Sequence, residues 1–236
     1  MEQTTGHVAA EKKVSFFEKT FLKQGRVLAV RPWQPATFFE VDVALPGVNM
    51  ETWKEAQHIK CKVESFTFRD YTPAWWDAET STCTLFIDAA HDGAGSRWVK
   101  TLRPDDYFYH AGAAPSHQKP VYNKQHVLLG DQTAIGHFLA LQQLAGHNSN
   151  IQGAVTIQER HHRDEFAEYI TKLNVDCLPA NKNVTDSLSQ WLQINKYGSN
   201  AMFYIAGNSR MAGQLRKTLR QIGYGSQQIN AQGFWQ

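Results

Sequence analysis

The chain is poor in cysteine. Cys61, Cys83 and Cys177 are the only three in 236 residues, too far apart for a CxxC zinc or redox motif and too few for a disulfide framework. An odd set of isolated thiols is the pattern of a reducing compartment, so a cytoplasmic location is expected. Long hydrophobic runs are missing: no segment approaches the about 18 apolar residues that would span a bilayer. Residues 1–23 are polar as far as Lys13 and mixed thereafter, without the continuous apolar core of a secretory signal. Without export, the glycosylation sequon Asn183-Val184-Thr185 reads as chance. An excess of one charge is also missing, with 24 Lys and Arg against 22 Asp and Glu. That argues against a dedicated nucleic-acid binder or a membrane-surface binder. The sequence contains no GxGxxG, no GK[ST], no HExxH and no GxSxG. Its ten histidines show no spacing with carboxylates that would hold a metal, so no protein-bound metal is expected.

What is present changes character near residue 120. Before it, apolar residues alternate or cluster in short runs: RVLAV (26–30), TFFEVDVAL (37–45), HIKCKVESFTFRDYT (58–72) and CTLFIDAA (83–90). Many are β-branched or aromatic, with turn residues nearby, which predicts short strands of a barrel or sandwich. After residue 120, strand and helix patterns take turns. VLLG (127–130) precedes a helical 133–146, AVTIQE (154–159) a helical 163–173, VDCL (175–178) a helical 184–194, and AMFYIAG (201–207) a helical 209–223. Repeated β-α units predict a doubly wound parallel sheet with helices on both faces. The expected division is a β-barrel over residues 1–118, with an N-terminal extension of about 20 residues, and an α/β domain over 119–236. The boundary is expected within 110–125, HAGAAPSHQKPVYNKQ. This is the layout of ferredoxin-reductase-like flavoproteins.

Five short segments could carry chemistry, and each also has a plain structural reading. Arg69-Asp70-Tyr71-Thr72 ends a strand, with Arg69 and Tyr71 on one face and Thr72 on the other. A guanidinium fork suits a pyrophosphate and a phenol ring can cover a flat heterocycle; the alternative is an ordinary amphipathic strand end. In 91–98, HDGAGSRW, Gly93 and Gly95 allow close backbone approach, and a helix starting near Ser96 could hold a phosphate, with Trp98 packed beneath; the alternative is a turn with an N-cap. Gly130-Asp131-Gln132-Thr133-Ala134 sits where a strand turns into a helix, beyond a strand's carboxyl end, where ligands bind in open α/β sheets; Asp131 or Thr133 could equally cap that helix. Ala206-Gly207-Asn208 ends a later strand, where Gly207 would let a nicotinamide approach; the alternative is a tight strand-to-helix turn. Arg160 and Arg163, with His161 and His162 between them, could meet a 2′-phosphate or form a solvated surface.

Taken in order, RDYT, HDGAGSRW, LLGDQTA, YIAG before a basic helix and a terminal GFW resemble the siderophore-interacting protein family of ferric-siderophore reductases, from about residue 20 to the end. The resemblance implies an antiparallel FAD-binding barrel and a nucleotide-binding α/β domain. It implies FAD contacts for Arg69, Tyr71, Thr72, His91, Gly93, Ser96 and Trp98. Nicotinamide-nucleotide contacts follow for Gly130, Asp131, Thr133, Ala134 and Gly207, with NADH or NADPH as donor and ferredoxin as an alternative. The substrate implied is a ferric siderophore, commonly anionic, for which Lys119, Lys124 and Arg103 are the candidate cations. Departures from the family pattern are Ala94 and Gly95 for Pro and Ala, Gln132 and Asn208 for Glu, and Phe234 for Tyr. A flavin reductase with another acceptor and a non-enzymatic siderophore-binding protein remain the alternatives.

Overall fold

A computed structural model describes residues 21–146, 149–171, 173–180 and 184–236. The N-terminal extension and Asn183 of the sequon lie outside the described residues.

The first sheet has seven strands: β1 (Lys23–Trp33), β2 (Phe38–Ala44), β3 (Gln57–Glu64), β4 (Thr67–Tyr71), β5 (Pro73–Asp77), β6 (Thr82–Asp88) and β7 (Tyr107–Pro115). Their order is β4-β3-β7-β1-β2-β6-β5, with antiparallel pairing throughout. Period-2 burial in β3, where Gln57, Ile59, Cys61 and Val63 point inward, shows why such segments fold as half-buried strands. The two outer strands, β4 and β5, are consecutive in the chain and joined by Thr72 alone, so this barrel-like sheet ends on both sides at the RDYT motif. Between β6 and β7 lies helix α1 (Ala94–Thr101), with Trp98 and Val99 buried in the barrel core. Residues 110–115, expected as a linker, instead continue β7, which pairs with both β1 and β3. Small residues there permit a strand that bends at Gly112, whose φ is +98°.

The second sheet is five-stranded and parallel: β8 (Gln125–Asp131), β9 (Ile151–Ile157), β10 (Asp176–Pro179), β11 (Ala201–Asn208) and β12 (Ile229–Trp235), in the order β10-β9-β8-β11-β12. Helices α2 (Ile135–Ala145) and α3 (Arg160–Tyr169) cover one face; α4 (Val184–Ile194) and α5 (Ser209–Gln221) cover the other. The buried strands are continuous apolar runs, as two-sided burial demands. Helix α3 starts three residues before the expected 163, and that shift takes His162 inside. The chain winds from β8 outward to β10, then restarts at β11 on the other side of β8. The crevice between the carboxyl ends of β8 and β11 is therefore the topological switch point.

The barrel packs onto the α2–α3 face. Trp33, Phe38 and Phe86 share one apolar cluster with Phe138, Leu139 and Phe166. The Gln143 side chain bonds both the N–H and the carbonyl of Trp76, at 3.1 and 2.8 Å. His162 is buried against Trp33 and Phe38, with ring centroids 6.0 Å from each. Among the described residues no helix is long and apolar enough to cross a membrane, and no group of three or more His, Cys, Asp and Glu could hold a metal ion.

Candidate functional site

Two loops and one strand corner meet at the rim where the barrel faces the parallel sheet. Arg69 and Tyr71 leave β4 on the same face. Both reach the first turn of α1: a Cβ on Gly95 would stand 2.5 Å from the Tyr71 hydroxyl and 3.5 Å from Cγ of Arg69. The absence of a side chain at Gly95 is what lets the phenol lie over the helix start. Trp98, one turn on, stacks against Tyr71 at 5.9 Å and 17° and is backed by Phe108. Burial pushes the Tyr71 phenol above its ordinary pKa, so it stays a neutral hydroxyl.

The first turn of α1 offers unused donors. Its N-cap, Gly93, has no side-chain cap, and the leading amides of a helix have no intrahelical acceptor. Ser96 Oγ is buried and has no hydrogen-bond partner among the described residues. The Arg69 guanidinium is exposed, makes no ion pair among the described residues and donates only to the neighbouring Phe68 carbonyl at 2.8 Å. A buried hydroxyl without a partner is expensive. Here it belongs to the first turn of a helix whose Gly95 is approached by the Arg69 side chain, and a hydroxyl, leading helix amides and a guanidinium are the donor types that hold a phosphate. The loop ahead of α1 is held by Arg97, which bridges Glu64 at 2.8 Å and Asp92 at 3.0 Å. His91 is exposed, 3.7 Å from Asp88.

Thr72 faces the other way. Its carbonyl lies 3.4 Å from where a Cβ on Gly136 would stand, which places the barrel corner against the first turn of α2. Nearby, the Gln132 amide nitrogen donates to Asp88 at 2.9 Å, tying the end of β6 to the end of β8. That bond turns the amide oxygen of Gln132 away from Asp88, and this oxygen is buried without a partner. The residue was not singled out from the sequence. Its signal was present, as a neutral amide where the resembled family carries a carboxylate.

At the switch point, Asp131 is buried and accepts from the Thr133 N–H at 2.9 Å, the Thr133 hydroxyl at 2.5 Å and the Asn208 N–H at 2.8 Å. Burial raises its carboxyl above the usual range, while these donors pull it down. Gly207 has φ +120°, and a Cβ there would stand 2.6 Å from either Asp131 oxygen. Gly130 approaches β11 so closely that a Cβ would lie 2.5 Å from the Ala206 carbonyl. Ala134 is fully buried under Gly130, where it packs the core. Asn208 caps α5 by accepting from the Met211 N–H at 3.1 Å. The C-terminal strand closes over this crevice: Trp235 donates to Thr133 Oγ1 at 3.2 Å, and Phe234 packs edge-on to His137 at 5.4 Å. His137 is buried, bonded to Gln118 at 2.7 Å, and desolvation lowers its pKa to about 4.

Other expected residues lie apart from this set. Lys124 directly precedes β8, at the edge of the sheet opposite Asp131. Arg103 follows the far end of α1 and donates to the Lys100 and Leu102 carbonyls. Lys119 is exposed on the connection between the sheets, where its carbonyl accepts from the Tyr204 hydroxyl at 2.8 Å. Arg163 turns back onto the Ile157 and Gln158 carbonyls at 2.9 and 2.7 Å, which leaves Arg160 as the exposed guanidinium after β9.

Residues 123–236, just under half of the chain, match the family model described as siderophore-interacting protein. No curated protein matches the sequence. Among solved structures, a siderophore-interacting protein from Acinetobacter baumannii superposes with a TM-score of 0.76 at 13% identity, covering 91% of this chain and 90% of that one. A siderophore utilization protein from T. fusca gives 0.72 at 18% identity, covering 91% and 92%. A ferredoxin NADP+ reductase from Neisseria gonorrhoeae, solved with bound FAD and NADP, gives 0.68 at 15% identity, covering 91% and 99%. At such identities these likenesses establish the fold, a ferredoxin-reductase-like pairing of an antiparallel barrel with a parallel sheet. Residues 123–236 thus resemble the siderophore-interacting proteins in sequence, and the two sheets together share the fold of the solved ones.

Proposed function

We propose that this protein is a cytoplasmic FAD-dependent reductase that takes electrons from NADH or NADPH and delivers them to ferric iron held by a siderophore, releasing Fe(II). The observation that carries this reading is the first turn of α1, where Arg69 and Tyr71 converge on Gly95 and the next residue, Ser96, has a buried hydroxyl without a partner among the described residues. This donor set fits the pyrophosphate of a flavin dinucleotide. Arg69 and the α1 amides would hold the phosphates, and Ser96 would satisfy its hydroxyl on the same group. Tyr71, kept neutral and stacked on Trp98, would wall the heterocycle. Thr72 and the free Gln132 oxygen would bond its polar edge. Bound there, a flavin supplies the conversion of a two-electron hydride donor into single electrons for iron.

The crevice between Asp131 and Gly207 is the natural place for the nicotinamide, because Gly207 presents bare backbone and the β8–β11 junction is the switch point. Trp235 and Phe234 would exclude water from that crevice when closed over it. Hard anionic siderophore oxygens favour Fe(III) over Fe(II), so reduction loosens the metal without a protein iron site. The family match of residues 123–236 supports the siderophore part of the reading.

The test is spectroscopic. The purified protein is expected to be yellow or to take up FAD, to bleach with NADH or NADPH, and to produce Fe(II) from a ferric siderophore in the presence of a ferrous chelator. Bleaching by neither nucleotide, with bleaching by reduced ferredoxin, would move the donor to ferredoxin. A protein that takes up no FAD would overturn the reading in favour of a non-enzymatic binder. Reduction of quinones or ferredoxin but of no ferric complex would make it a reductase with another acceptor.

A further inference from the structure

Both exposed tryptophans of the chain frame one short segment. Of the seven, Trp33, Trp98 and Trp191 are buried, and Trp53 and Trp76 are half-buried. Only Trp75, at 43%, and Trp235, at 48%, stand in solvent. Trp235 bonds Thr133. Trp75 packs edge-on against Phe86 at 5.3 Å and 76°, and the Phe86 ring lies 3.4 Å from the Cβ position of Gly136. Trp235 thus reaches residue 133 directly and Trp75 reaches residue 136 through Phe86, beside the Thr72 corner. Trp75 is three residues past Thr72, so their Cα atoms lie within about 10 Å.

The exposure of Trp75 is built into the fold. The β5–β6 register slips between Ala74 and Asp77, which makes Trp75-Trp76 a bulge. Trp76 turns inward to pack on Trp53 at 5.2 Å, with its backbone clamped by Gln143. Trp75 turns outward with φ +48°, a left-handed conformation that is an outlier for a bulky residue. Bulges re-aim side chains beside active sites, and backbone strain of this kind persists where the surroundings over-determine it. An indole held half in water at such a position leaves apolar area unburied until something covers it. Of the cations expected to receive an anionic complex, Lys124 stands at the opposite edge of the sheet, Arg103 at the far end of α1 and Lys119 on the connection between the sheets. On its β5 side this rim offers the exposed face of Trp75.

Building on the ferric-siderophore reading, we propose that Trp75 is a specificity-determining contact for the iron ligand. Its ring stacks on a catechol or phenol ring of the chelator, so the protein prefers ferric complexes carried on aromatic rings over hydroxamate complexes, which have none. Stacking of one ring pair is worth about threefold to tenfold in affinity.

The test is binding of a ferric tris-catecholate and of ferrioxamine, a trihydroxamate, to the flavin-loaded protein, read by fluorescence quenching. The variants are Trp75→Asn and Trp75→Phe. Asparagine tolerates the left-handed backbone, so removal of the ring also relieves strain and keeps the strand intact. NADH-driven reduction of ferricyanide reports the integrity of the flavin site. Trp75→Asn is expected to weaken catecholate binding about fivefold to tenfold, with ferrioxamine binding and ferricyanide reduction unchanged. Trp75→Phe should restore most of the loss. Unchanged catecholate binding in Trp75→Asn, or equal weakening of both complexes, would overturn the assignment. A wild-type protein that binds the complexes but reduces neither would overturn the reductase reading, while the binding ratio still decides the role of Trp75.

Discussion

Replacing Gly207 by alanine should destabilise this protein strongly, for two reasons that add. The backbone at φ +120° is a conformation that L side chains rarely adopt, and holding one there costs about 1–3 kcal/mol. The new Cβ would also stand 2.6 Å from the Asp131 oxygens, closer than any real contact, so the buried carboxylate must move. Moving it breaks a bond to the Asn208 or the Thr133 N–H and leaves a buried group unsatisfied, at about 1–3 kcal/mol. The sum is about 2–6 kcal/mol. For a chain of this size that lowers Tm by roughly 4–24 °C, at about 2–4 °C per kcal/mol. Gly213→Ala is the matched control. It lies exposed within α5 with nothing within 4 Å of the new Cβ, and should stabilise by about 0.5–1 kcal/mol. Thermal unfolding followed by far-UV circular dichroism measures both. A Gly207→Ala melting point within 2 °C of wild type, or a Gly213→Ala variant that falls as far, would refute the reasoning from the Asp131 clamp.

The remaining predictions concern the rim and its protonation. Arg69→Ala should weaken FAD binding by about tenfold to a hundredfold, the loss of a charge-assisted hydrogen bond, with little change in the melting point of the flavin-free protein; flavin titration and a thermal scan measure the two. Gly95→Ala should displace the Tyr71 hydroxyl and raise the Kd for FAD, visible as a flavin that washes out on gel filtration. Gln132→Glu would set a second carboxylate against Asp88, now 2.9 Å from the amide, and should lower Tm at pH 7 more than at pH 5, where protonation relieves the repulsion. His110 and His137 are buried with pKa values lowered to about 4, so the folded state resists protonation that the unfolded chain accepts from pH 6.5 downward. Stability should therefore be unaffected by these groups above pH 7 and fall as pH drops from about 6.5 to about 4. A His137→Gln variant should show a shallower fall in Tm across that window.

Local pattern explains much of this molecule. Alternation placed Arg69 and Tyr71 on one side of a strand and Thr72 on the other, and both of the first two reach Gly95. The β-α alternation after residue 120 located all four helices of the parallel sheet, because two-sided burial and amphipathic faces leave strong periodic signals. The first residues of the boundary region were illegible as a strand for a physical reason. HAGAAP has little periodicity of its own, and it becomes part of β7 because β1 and β3 supply hydrogen-bonding edges from elsewhere in the chain. Of the histidine pair, His161 is solvated and His162 is not, and the burial of His162 comes from Trp33 and Phe38, more than a hundred residues earlier.

The sequence by itself determined which segments become strands and helices and which small residues stand at the close approaches, since these depend on side-chain period and backbone freedom. Only the tertiary structure decided which of the polar groups go without partners. The isolation of Ser96 Oγ, the burial of the Gln132 oxygen turned away from Asp88, the capture of Arg163 by strand carbonyls and the exposure of Trp75 over its inward neighbour each depend on how the assembled chain surrounds them. Hydrogen-bond satisfaction is a property of the assembled surroundings, and no local pattern encodes it.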